Sequence, residues 1–209
     1  MAAPRSLWNL LRRQNETLDT ATDIYGRLVA LARAEAFYAA NGVPDTPDGR
    51  LELIVFHLAL MLERLKIEGE RGMALARALN EAFVTDFDDC LREMGVSDLK
   101  VPEKVKKAAA ALYDRTRDYG AALDEPEVET MVAMVQRHLQ RFDDVAMKNA
   151  GVTLAAADAS RQGALRIARY AAEMRSRLTA VSLDEIVAGT VRFPVPGTGR
   201  GDEEGDRKS

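Results

Sequence analysis

Apolar residues return at three- and four-residue steps along most of the chain, the period of an amphipathic helix. No stretch shows the period of two expected of half-buried strands. Leu18, Ala21, Tyr25, Leu28, Val29, Ala32 and Ala36 form the first stripe and predict a helix from about Asn15 to Ala40, ended by Asn41-Gly42. Val43-Pro44-Asp45-Thr46-Pro47-Asp48-Gly49 is dense in turn formers and reads as an ordered turn. From Arg50 to Ile67 the apolar arc is wide: Leu51, Ile54, Val55, Leu58, Met61, Leu62 and Leu65 on one side, extended by Leu53, Phe56 and Leu60. A helix apolar that far round belongs at the centre of a bundle. Glu70 to Met94 continues the pattern, with a break expected at Val84-Thr85-Asp86, where Thr85 and Asp86 suit the cap of a separate short helix. Gly95 suits the residue just past a helix end, and Pro102 suits the start of a helix running to Leu123. Glu127 to Ala146 and Leu154 to Leu178 supply the last stripes, while the chain from Phe193 onward is proline, glycine and charge. The expectation is an all-α, single-domain bundle of six or seven helices: an N-terminal arm over 1–14, a helical domain over 15–192 and a disordered tail over 193–209.

Composition narrows the chemistry. With 209 residues, 47% hydrophobic and 30% charged, the chain has enough apolar material for one real core. A net charge of −4 gives the whole molecule no field favouring nucleic acid or anionic lipid, so any basic site must be local. The single cysteine, Cys90, excludes an internal disulfide and a multi-cysteine metal site. Asp88 and Asp89 beside it disfavour a nucleophilic thiolate, and a buried, inert cysteine is expected. A carboxylate-bridged di-metal bundle needs glutamate three residues before histidine, but Ile54 precedes His57 and Val135 precedes His138. Gly197-Thr198-Gly199 lacks the Lys-Ser/Thr of a phosphate loop. The pattern therefore names no catalytic residue, no cofactor and no metal. The apolar run from Leu51 to Leu62 is too short to span a bilayer. Residues 1–13, with Trp8, three leucines and three arginines, read as an arm on the body or as an interfacial membrane contact.

Three local surfaces stand out. Arg50, His57 and Arg64 recur every seven residues and give one polar line on an otherwise apolar helix. That line is either a satisfied histidine at a bundle seam with two helix-end arginines, or the floor of a groove for a partner peptide. Residues 83–98 hold five acids against Arg92 alone, whereas residues 100–117 hold four lysines and two arginines against Glu103 and Asp114. In residues 161–177 five arginines meet one glutamate. Each run is a solvated helix face or a docking face for an anionic partner.

Several segments are shared with a known family. Ala32-Arg33 to Phe37-Tyr38 is followed by Gly42-Val43-Pro44-Asp45-Thr46, by Asp48-Gly49-Arg50, and by His57 in a leucine-rich helix. Leu91-Arg92-Glu93-Met94-Gly95-Val96-Ser97-Asp98-Leu99 then precedes Val101-Pro102 and a lysine-rich helix to Tyr113. Over about residues 22–123 the chain resembles the ubiquinol-cytochrome c chaperone family, and its composition is that of a bacterial member. The resemblance implies an all-α, non-enzymatic assembly factor for respiratory complex III. Such a factor binds newly made cytochrome b, works in the cytoplasm or on the cytoplasmic face of the inner membrane, and reads no specific nucleic-acid sequence. A client of that kind calls for a face that mixes apolar groups with both charge signs, which points to Arg50, His57, Arg64, Arg92, Glu93, Asp98, Lys100, Lys104 and Lys107 as the client surface, although Arg92, Glu93 and Asp98 serve equally as capping and ion-pair residues of their loop. A ribosome- or membrane-docking adaptor without a dedicated client is the competing expectation.

Overall fold

The computed structural model describes residues 5–39, 41–140 and 154–194. Within them the chain forms eight helices and no strand. These are α1 (Arg5–Ala32), α2 (Glu35–Ala39), α3 (Pro47–Leu65), α4 (Gly69–Glu93), α5 (Val101–Asp124), α6 (Val128–His138), α7 (Leu154–Ala180) and α8 (Leu183–Val187). The predicted all-α class holds. Residues 141–146, expected to prolong α6, and the tail from 195 onward lie outside the described residues.

α3 is the central strut, as its wide apolar arc predicts, and it packs against α1, α4, α5 and α7. Its start comes earlier than expected. Thr46 is the N-cap, accepting a hydrogen bond from the Gly49 amide, and Pro47 occupies the first turn, where its missing N–H costs nothing. α4 lies along α1 and turns back beside α5, while α6 rests on α5 and α7.

Other boundaries also move. The first helix starts at Arg5 and stops at Ala32, and α2 follows as a separate short helix. No glycine or proline marks that break; the Tyr38 hydroxyl donates to the Ala32 carbonyl and takes one of the exposed C-terminal acceptors. α4 runs without the expected interruption, because the Asp86 carboxylate accepts a hydrogen bond from the Tyr25 hydroxyl of α1 instead of capping a new helix. Phe193, expected to open the tail, packs on the core with the Arg27 guanidinium 5.1 Å from its ring centre. Cys90 is exposed rather than buried, since α4 turns that side to solvent one residue before buried Leu91.

The middle of the bundle is aromatic. Phe37 meets His57 and Tyr170, and Phe56 meets His57, edge to face at ring separations of 5.2–5.3 Å, and Tyr119 joins through Phe56 at 5.0 Å. Gly95 ends α4 with φ of 76°: its amide donates to the Arg92 carbonyl and the Val96 amide to that of Leu91. This paired arrangement needs a left-handed residue, which glycine supplies without strain, and it fixes the turn into α5.

Candidate functional site

The polar line on α3 separates into one surface residue and two interior ones. Arg50 is exposed and paired with Asp45 at 2.7 Å, which holds the Asp45 carboxyl below its ordinary range. His57 has no exposed surface. Its Nδ1 lies 2.7 Å from the Leu53 carbonyl and its Nε2 lies 2.8 Å from the Tyr170 hydroxyl. Arg64 is buried as well: Nε and Nη2 donate to the Leu178 and Val181 carbonyls at 2.7 and 2.9 Å, and Nη1 faces Glu68 at 2.5 Å. A cation at the C-terminal end of α7 satisfies carbonyls that the helix itself cannot pair. Of the two readings of this line, His57 occupies the bundle seam.

The corner between α4 and α5 does gather its candidates on the surface. Arg92 donates to Asp88 at 2.6 Å and to Asp98, spanning the turn, so it is both an ion-pair residue and exposed. Glu93, Asp98, Lys100, Lys104 and Lys107 are all exposed beside it. Lys107 pairs with Glu103 one turn earlier at 2.7 Å. Among the described residues, Lys100, Lys104 and Lys106 have no ion-pair partner. Two large apolar side chains project from the same corner, Met94 at 58% and Leu99 at 93% exposure. A rigid turn thus presents apolar groups with both signs of charge around them, the composition of a protein-binding rim.

The arginines of α7 behave differently. Arg161 pairs with Glu129, Arg175 with Asp124 and the Leu123 carbonyl, Arg177 with Glu173, and Arg166 donates to the Asn41 side chain. Most of that basic face is therefore spent on contacts within the bundle.

A second polar cluster, which spacing alone did not reveal, lies between α3, α5 and α6. Arg115 makes a two-pronged bond to Glu52 at 2.9 and 3.1 Å, and His138 Nε2 donates to Asp118 at 3.1 Å. Burial, with Arg115 nearby, lowers the pKa of His138. The Tyr119 hydroxyl and His138 Nδ1 are buried there with no hydrogen-bond partner among the described residues. Sequence reading also missed Tyr113, 72% exposed on α5. The available signal was an aromatic seven residues after Lys106 on the lysine side of the helix.

A family model described as ubiquinol-cytochrome C chaperone matches residues 39–193. The crystal structure of the Cbp3 homolog from Brucella abortus superimposes with a TM-score of 0.71 at 31% sequence identity, covering 90% of this chain and 96% of that one. No curated protein matches the sequence. The family match contains α3 to α8 whole, and with them both the buried seam and the exposed corner. The chain belongs to the ubiquinol-cytochrome c chaperone family.

Proposed function

We propose that this protein captures newly made cytochrome b and holds it during assembly of respiratory complex III, as a binding protein without a catalytic step. The α4–α5 corner carries this reading: a capped turn that exposes Leu99 and Met94 among Arg92, Glu93, Asp98, Lys100, Lys104 and Lys107. A nascent membrane protein offers apolar segments and charged connecting loops, and such a surface meets both. Arg50 adds a second charged point at the start of α3, while His57 and Arg64 support the surface from inside by fixing α3 to α7. Among the described residues no helix is long and apolar enough to cross a membrane, so contact with the client at the cytoplasmic membrane face would be peripheral.

Deletion of the gene, followed by quantification of the respiratory complexes, tests this function. Complex III should fall while the other complexes persist, and normal complex III would refute it. The unpaired lysines of α5 are what favour the competing adaptor reading. An adaptor for ribosomes or membranes would co-sediment with them in a steeply salt-dependent way and leave complex III intact.

A further inference from the structure

α4 and α5 form a hairpin whose outer seam is open. A groove of about 520 Å³ runs between them, floored by Leu62, Phe83, Val84 and Leu112, with Asn80 on one lip and Tyr113 on the other. Its lining is mainly apolar, and Tyr113 stands over it largely uncovered. Exposed apolar surface bordered by charge marks a binding site more often than chance exposure. Lys106 precedes Tyr113 by two turns on the same line of α5, and Arg117 follows it by one turn.

We propose that this groove receives an amphipathic helix of the client, apolar face down, with carboxylates along the edge that faces α5. This rests on the chaperone reading and specifies what the client presents. The secondary structure of the occupant follows from the walls. No described residue is in a strand, so an extended segment would find no backbone ladder here, whereas a helix satisfies its own amides and lays its side chains between two others. Its charge follows from the rim. The charged side chains lining the groove are both cations, Lys66 paired with Glu63 and Arg117 paired with Asp114 and Asp118. Lys106 on the Tyr113 line of α5 adds a cation with no ion-pair partner among the described residues, while exposed Glu81 lies on α4. An acidic edge on the incoming helix meets Lys106 and Arg117 along the α5 side. The concave floor argues against a bilayer, which engages protruding apolar groups, and the apolar lining argues against RNA.

The probe is a fluorescein-labelled synthetic helix of about 18 residues, five turns long, with a leucine face and one glutamate edge. A companion peptide carries lysine in place of glutamate. In anisotropy titrations with the full chain, the acidic peptide should bind about tenfold more tightly than the basic one. Tyr113→Ala and Lys106→Glu, both at exposed positions, should each weaken it about fivefold or more while the thermal midpoint stays put. Equal binding of the two peptides, no binding, or indifference to both substitutions overturns the proposal. So does transfer of the Lys106 effect to phosphatidylglycerol vesicles or single-stranded RNA with Tyr113 irrelevant. Complementation of the deletion strain separates the two levels of the claim. If deletion lowers complex III but both variants restore it fully, the groove fails alone; if deletion leaves complex III normal, the client reading itself fails.

Discussion

The Tyr170 hydroxyl lies 2.8 Å from His57 Nε2 and joins α7 to the central helix across 113 residues of sequence. The Leu53 carbonyl can only accept, so His57 Nδ1 carries the ring proton and Nε2 accepts from the tyrosine. Burial holds this imidazole neutral, with its pKa lowered to about 4. The folded state therefore binds the proton less well than the unfolded one. The stability involved is fully present above the ordinary histidine range near pH 6.5 and is lost as the pH falls toward 4, on the order of 3 kcal/mol in total. His138 shifts in the same direction and adds to the loss. Urea midpoints should be level from pH 7 to 8 and drop between pH 6.5 and 4.5, with a shallower drop in His57→Gln. A midpoint that ignores pH over that window would contradict the buried neutral histidine.

Glu52 and Arg115 tie α3 to α5 through a nearly buried two-pronged pair, with side-chain exposures of 13% and 11%. Removing one partner leaves the other charge poorly solvated. Glu52→Ala and Arg115→Ala should each cost about 3 kcal/mol in chemical denaturation, whereas a Glu52→Leu/Arg115→Met double variant should recover most of that loss. Equal losses in single and double variants would show that packing, not the stranded charge, sets the cost.

Two helical glycines should respond in opposite ways to alanine. A Cβ on Gly163 would lie 2.5 Å from the Asn41 carbonyl oxygen and 2.8 Å from its carbon, and that backbone is already held by Gln140. At Gly120 the nearest atoms belong to the end of the Glu63 side chain, which can swing aside. Gly163→Ala should therefore destabilise by about 1–3 kcal/mol, and Gly120→Ala should be neutral or gain up to about 1 kcal/mol of helix propensity. Matching thermal midpoints for the two variants would rule out the close approach of α7 to Asn41.

The basic side of α5 should matter for capture and not for folding. Lys100→Glu combined with Lys104→Glu should leave the thermal midpoint unchanged, because neither lysine has an ion-pair partner among the described residues. Client capture should fall about tenfold at low salt, and the difference should shrink as salt is added. Undiminished capture would remove this face from the client surface.

Local signals were legible where the backbone itself demanded particular residues. α5 was read to within a residue at both ends, because Pro102 opens it and Glu125-Pro126 stops it. The centrality of α3 followed from its wide apolar arc. What escaped was set by distant partners. Ala32 ends α1 where Tyr38 returns to it, and Asp86 stays inside α4 because Tyr25 binds its carboxylate. The candidate site divides the same way. The corner holding Arg92, Asp98 and the lysines is contiguous in sequence and could be read directly. The seven-residue line through His57 identified related positions, but only the fold shows that Tyr170 and the α7 carbonyls enclose two of the three.

The most direct test places a photo-crosslinking amino acid at Lys104 of the full chain and pulse-labels cells making tagged cytochrome b. An adduct with newly made cytochrome b that forms within the pulse and decays as complex III accumulates is expected. Adducts confined to ribosomal proteins or to lipid, with cytochrome b uncaptured, would contradict the client-binding role of the α4–α5 corner.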